Sequence, residues 1–176
     1  MRAAGWSNSL SAKLLQLAAP GVPDVYQGSE LWNRSLVDPD NRLPVDYAAR
    51  RAILARIDAG ELPDVDETAA AKLLVTTRAL RARRDRPELF TRYAGLEVVG
   101  AAAGHAVAFD RGGAVAIATR LPLGLERRGG WGDTRVMVRE VRYVDAITGT
   151  PFDGDAVPLA ELLSRCPVAL LLREGD

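Results

Sequence analysis

The chain changes its hydrophobic period near residue 90, and that change limits what it can fold into. Upstream, apolar residues return at helical spacing, as at Ala49, Ile53 and Ile57 and again at Ala70, Leu73, Leu74, Thr77 and Leu80. Downstream of Tyr93 the apolar residues fall into short runs: Leu96–Gly100, His105–Asp110, Ala114–Thr119, Thr134–Val138, Val141–Ala146 and Val168–Leu172. Gly104, Gly112-Gly113, Gly129-Gly130 and Thr148-Gly149 punctuate them. Short β-branched runs with turns at this spacing predict an antiparallel sandwich or open barrel. The domain boundary is expected between Pro87 and Arg92, dividing the chain into residues 1–90 and 91–176.

The first part reads as helix, strand, long loop, helix. Ser9–Ala19 predicts a helix stopped by Pro20 and Gly21, and Asp24–Gln27 a short buried strand closed by Gly28. From Ser29 to Leu43 no period holds, and Asp38-Pro39-Asp40-Asn41 is turn chemistry. Pro44 suits the first turn of the next helix, with Gly60 at its C-terminal cap. A longer helix is expected from Asp64, with Glu67 completing a capping box, up to the stop before Pro87. Strand, loop and helix make one βα step of a parallel sheet, and a parallel strand needs parallel neighbours and helices over both faces. The strand therefore either joins the second domain's sheet or belongs to a larger barrel of which this chain is a fragment; the fragment is the expectation adopted.

Charge and cysteine content exclude several classes. Lys plus Arg and Asp plus Glu both total 23, so no nucleic-acid or anionic-membrane partner is expected. One Cys excludes an intramolecular disulfide, which suits a reducing cytoplasm, and with one His it excludes a His/Cys zinc site, so no metal is expected. The apolar stretch Leu14–Ala19 is short and broken by Gln16, which argues against an export signal, and no run of about 18 apolar residues offers a membrane span. Cys166 is expected to be an inert thiol and His105 a structural histidine. Arg78, Arg81, Arg83, Arg84 and Arg86 read as a solvated basic helix end, favoured by the helix dipole. They are not read as a nucleic-acid stripe, because no aromatics stand among them to stack bases.

The segment from Pro20 to Trp32, Pro-Gly-Val-Pro-Asp-Val-Tyr-Gln-Gly-Ser-Glu-Leu-Trp, resembles the eighth barrel strand of the α-amylase superfamily. Its continuation, Leu36-Val37-Asp38-Pro39-Asp40-Asn41-Arg42 and then Pro44-Val45-Asp46-Tyr47, resembles the corresponding loop of maltooligosyl trehalose synthases. Further matches are Asn8-Ser9-Leu10, Arg86-Pro87-Glu88-Leu89-Phe90, Gly130-Trp131-Gly132-Asp133-Thr134, Thr148-Gly149 and Pro167-Val168-Ala169-Leu170-Leu171. Leu43 departs from the family, which usually shows a second Arg there, and so does Tyr143, where a Trp is common. The resemblance implies an α+β fragment: the last βα unit of a (β/α)8 barrel followed by a C-terminal antiparallel β-sandwich domain.

What it implies for function is an isomerase, an intramolecular transglucosylase without cofactor. Such an enzyme converts the reducing-end α-1,4 linkage of a maltooligosaccharide to α,α-1,1, through a carboxylate nucleophile and a second carboxyl acting as acid and base. The family's carboxylates come from strands four, five and seven, so no catalytic residue is expected in this chain. Its partners would be the maltooligosaccharide substrate and the remainder of the barrel. Of the local acids Asp24, Glu30, Asp38, Asp40 and Asp46, those flanking Pro39 suit a loop bonding its own backbone, and Asp46 a helix's first turn. For substrate contact, Tyr26 and Trp32 offer apolar platforms, and Asp38, Asp40, Asn41 and Arg42 offer hydrogen bonds to hydroxyls. Tyr26 reads equally as core at a strand end, and Trp32 as packing beneath the loop. The rival functions are a non-catalytic carbohydrate-binding or accessory module and an inert truncated product.

Overall fold

The computed structural model describes residues 2–33, 43–139 and 141–174. The first helix, α1 (Arg2–Ala18), starts seven residues before the predicted position. Leu10, Leu14 and Leu17 recur at helical spacing and are fully buried. Each contributes about 1.5–3 kcal/mol of burial free energy as an upper bound. Ser11, an indifferent helix former, is compensated across the fold by donating its hydroxyl to Thr119 O at 2.7 Å.

After α1 the strand expected at Asp24–Gln27 does not form. Residues 22–26 have no regular structure and pair with neither sheet, Gln27 already lies in a turn, and Val22 is 97% exposed. A strand needs a ladder neighbour. The second helix, α2 (Tyr47–Asp58), starts later than Pro44 suggests, because Asp46 accepts a hydrogen bond from Ala49 N at 2.9 Å and caps it. Asp46 is thus the N-cap and lies outside the first turn.

The third helix, α3 (Ala70–Asp85), begins six residues after the expected start, and the Asp64/Glu67 capping box is not made. Asp66 instead accepts from both the amide and the hydroxyl of Thr68, and Ala69 follows with a left-handed φ of 63°. Local side-chain bonds of this kind compete with the helical ladder. From Ala70 to Thr76 every residue of α3 is buried, as befits a central helix. A 3-10 turn (Pro87–Phe90) closes it.

The remaining chain forms two antiparallel sheets. Strands β1 (Ala94–Gly95), β3 (Ala106–Asp110), β4 (Ala114–Thr119), β6 (Tyr143–Asp145), β7 (Pro151–Phe152) and β9 (Val168–Arg173) make a six-stranded sheet in the order β1-β3-β4-β9-β6-β7. Strands β2 (Val98–Val99), β5 (Arg135–Met137) and β8 (Ala156–Pro158) make a second, in the order β2-β5-β8. Two short helices, α4 (Pro122–Arg127) and α5 (Leu159–Leu162), interrupt the strands.

β4 shows how the layers are joined. All its residues are buried, and they alternate by the two-residue period of a strand. Ala114, Ala116 and Ala118 face α1 and α3, where small side chains let the helices approach. Val115 and Ile117 face the other way, into a second core with Val136, Val157 and Tyr143. Helices, large sheet and small sheet thus form successive layers. A polar knot in this core is Asp145, fully buried, which accepts from Ile147 N, Thr148 N, Thr148 Oγ1 and Leu170 N and so ties the β6–β7 hairpin to β9. Among the described residues no helix is long and apolar enough to cross a membrane.

Candidate functional site

The candidate site follows from how the fold holds both ends of the segment from 20 to 47. Its first anchor is the C-terminal end of α1, whose last turn carries no basic residue of its own. Two arginines distant in sequence supply the missing charge. Arg83 of α3 donates to Leu17 O at 2.8 Å, Ala19 O at 2.9 Å and Gly21 O at 2.7 Å, with its guanidinium over the Phe90 ring at 5.6 Å. Arg111, 5% exposed, donates to Ala18 O, Arg92 O and Phe90 O. Burial lowers its pKa, and the charge of Arg83 adds to that. The terminal carbonyls of a helix gain most from cations placed in this way.

The second anchor is Arg50 of α2. Its guanidinium donates to Glu30 Oε2 at 3.1 Å and Gly28 O at 2.9 Å, ahead of the loop, and to Asp46 O at 3.0 Å behind it. A turn at 26–29 presents these acceptors, closed by Ser29 N to Tyr26 O at 3.0 Å. Gly28 takes φ 85° there, and a Cβ on it would meet Val45 Cγ2 at 3.2 Å.

The third anchor is aromatic. Trp32 stacks on Trp6 with ring centroids 6.3 Å apart and an interplanar angle of 8°, and its indole N–H donates to Asp66 O at 2.8 Å. Lys72 lies 5.8 Å from the Trp32 ring centroid and donates to Leu31 O at 3.0 Å. Burial pushes the Lys72 ammonium down to about 8, helped by the charge of Lys13 and opposed by Glu30. Lys13 is shifted down too, again by burial, against Glu30 and Asp24. Two buried ammonium groups therefore lie beneath the stretch that leads into the loop.

Against this frame the sequence-derived candidates separate. Tyr26 stands on the turn, 48% exposed. Trp32 is half-buried, and its ring and N–H are both engaged. Asp38, Asp40, Asn41 and Arg42 lie outside the described residues. Glu30 is paired with Arg50, and Asp46 caps α2, so both carboxylates have structural partners. Among the described residues no group of three or more His, Cys, Asp or Glu could hold a metal ion.

Of the five clustered arginines, Arg81, Arg84 and Arg86 make exposed ion pairs with Asp58, Asp85 and Glu88. Arg83 is a correction to the solvated-face expectation, because its side chain turns back onto α1. His105 Nδ1 lies 3.2 Å from Leu121 O, and the buried Cys166 thiol is pushed up to about 12 by desolvation. Sequence reasoning missed Trp6, Arg50, Lys72 and Arg111. Only Lys72, a lone cation in the apolar run from Ala69 to Val75, carried a local signal.

No family model matches the chain. It is 44% identical over 172 residues to a Mycobacterium tuberculosis protein that bears the name maltooligosyl trehalose synthase, a match covering 96% of this chain and 21% of that one. Among solved structures, the maltooligosyltrehalose synthase from Arthrobacter ramosus superposes with a TM-score of 0.95 at 61% identity, over 98% of this chain and 23% of that one. A second, DSM5389 glycosyltrehalose synthase, gives a TM-score of 0.75 at 26% identity, over 97% and 21%. The chain thus spans about a fifth of the length of the relatives it matches.

Proposed function

We propose that this chain, which corresponds in sequence and in its mixed α+β fold to a C-terminal portion of the maltooligosyltrehalose synthases, supplies a substrate-facing loop and a stabilising β-domain to a catalytic (β/α)8 barrel. In this reading residues 1–90 are the end of the barrel, with its last strand, loop and helices, and residues 91–176 are a C-terminal β-domain of sandwich type. The assembled enzyme is an intramolecular transglucosylase without cofactor that moves the reducing-end α-1,4 linkage of a maltooligosaccharide to α,α-1,1. The observation that carries the reading is the segment at 22–26, whose backbone joins neither sheet and whose Val22 is 97% exposed. Apart from Asp24 O, which accepts from Gln16 Nε2 at 2.6 Å, and Tyr26 O, which the turn uses, such a backbone is open to pairing with further strands. The relatives' remaining length is where those strands would lie.

Retaining transfer needs a nucleophile and an acid/base carboxyl about 5–5.5 Å apart. Glu30 and Asp46 are committed to Arg50 and to the cap of α2, which supports the reading that the catalytic pair comes from the rest of the barrel. This chain's part is then positional. Arg50 holds the loop ends, so that Asp38, Asp40, Asn41 and Arg42 meet sugar hydroxyls, with Tyr26 and the region of Trp32 as apolar ground. A reducing cytoplasm suits its single, buried thiol.

The test is incubation of the purified chain with maltohexaose, following reducing ends and free glucose together. Persistence of reducing ends is the expected result. Their loss without release of glucose would make the chain a complete synthase and overturn the assignment of the carboxylates elsewhere. Saturable binding without turnover would favour an accessory carbohydrate-binding module.

A further inference from the structure

The segment Gly130-Trp131-Gly132-Asp133-Thr134 has no role in the reading above. It folds as a turn in which Thr134 N donates to Trp131 O at 3.0 Å, and Gly130 and Gly132 take φ of 94° and 54°. The turn leaves the Trp131 indole half-buried at a cleft of about 310 Å³, between the first turns of α1, the start of α4 and residues 163–167. Leu125 and Leu163 continue the apolar wall.

The lining also includes polar residues. Ser164 and Arg165 stand exposed at the rim, and Arg165 makes no ion pair among the described residues. Ser7 lines the α1 side and is 8% exposed, and its buried Oγ has no hydrogen-bond partner among the described residues. Buried hydroxyls are ordinarily paired, so this orphan marks a place where a partner is missing. The cleft shares no lining residue with the depression around Trp32, which is bounded by Leu31, Glu67, Thr68 and Ala69.

An aromatic side chain in one cleft with hydroxyls and a guanidinium is the chemistry that recognises a pyranose: C–H bonds against the ring, hydroxyls at the edge. We propose that this cleft is a second saccharide site, holding one glucosyl unit of an α-glucan stacked on Trp131, with Ser7, Ser164 and Arg165 as its hydrogen-bonding groups. Its volume lies at the small end of the roughly 300–1,000 Å³ typical of ligand pockets, which suits a single ring. The site gives an α-glucan a hold where α1 meets the second half of the chain. This inference rests on the reading that the chain's ligands are α-glucans.

The experiment is calorimetric titration of the purified chain with maltotriose, on the parent and three variants. Trp131→Ala removes the platform, and Ser164→Trp fills the cleft from its exposed rim with little risk to folding. Asn41→Ala/Arg42→Ala disables the loop. Saturable binding weakened about fivefold or more by each cleft variant, by loss of the platform in one and by filling of the cleft in the other, and retained by the loop variant, is expected. If Ser164→Trp, with the parent's circular dichroism and melting temperature, binds as the parent does, the inference is overturned. Loss of binding in the loop variant alone overturns it too, while leaving the proposed function in place. No saturable binding to the parent also overturns it, and the reducing-end assay then judges the proposed function separately.

Discussion

Arg50 and Glu30 form an ion pair at 3.1 Å in which both side chains are largely out of water, 18% and 21% exposed, and the same guanidinium holds a backbone carbonyl on either side of residues 34–42. A planar fork with several fixed donors can do this; a lysine presents a single point of charge. Arg50→Ala is expected to cost roughly 1–3 kcal/mol, because Glu30 and two carbonyls lose a charged partner. Arg50→Lys should recover less than half of that. Urea unfolding midpoints at a constant slope decide it, and an Arg50→Lys midpoint equal to the parent's would refute the three-point hold.

The end of α1 gives a second expectation. Arg111 is more deeply buried than Arg83, yet both cap the same helix terminus. Arg111→Ala should destabilise by about 2–5 kcal/mol, since it leaves three carbonyls unpaired in the interior. Arg83→Ala, partly open to water, should cost less. The reverse order in thermal melts would show that burial does not set the strength of the two caps.

Lys72 carries a pH signature. Its ammonium titrates near 8 in the folded chain and near 10.5 when unfolded, with burial as the main cause. Between those values the unfolded chain binds more protons, so the stability contributed at this position rises with pH. The penalty for burying the charge is full below about 8 and is relieved on going from 8 towards 10.5. Urea midpoints of the parent, taken relative to Lys72→Met, should therefore climb across that window. A flat difference would contradict it.

Two glycines should respond oppositely to alanine. Gly100 holds φ 113°, and a Cβ there would meet Thr134 Cα at 2.7 Å, so Gly100→Ala is expected to cost about 1–3 kcal/mol. Gly5 lies inside α1 with nothing within 4 Å of a Cβ, and Gly5→Ala should gain about 0.5–1 kcal/mol from reduced backbone entropy. Differential melting of the two variants is the check. Equal shifts would mean that strain at Gly100 is absorbed elsewhere.

Much of the fold was legible because its signals are local. β4 was read to the residue, α3 was stopped correctly before Pro87, and the antiparallel character of the second half followed from short runs between glycine turns. β1, β7 and β8, of two or three residues each, are too short to carry a period and were missed. The start of α3 was misread because Asp66 and Thr68 satisfy each other before the helix can use them. Asp24–Gln27 has the residues of a buried strand, but a strand also needs a neighbour, and neither sheet among the described residues provides one. At the site, the loop motif names Asp38, Asp40, Asn41 and Arg42, which lie outside the described residues, while the groups that hold the flanking stretches, Arg50 and Lys72, carried little or no local signal.

By itself the sequence determined the periods, the turns and the family resemblance, all set by interactions a few residues long: i to i+4 contacts in helices, alternation in strands, and the backbone preferences of Gly and Pro. Only the tertiary structure decided which charges leave the surface. Arg81, Arg83 and Arg84 look alike in sequence, yet only Arg83 folds back on the end of α1, and Arg111 reaches Ala18 O across 93 residues. The physical reason is that a guanidinium leaves water at low cost where acceptors await it, and for Arg83 and Arg111 those acceptors are unpaired carbonyls. Those carbonyls exist only once the helix has ended and the sheet has packed beside it.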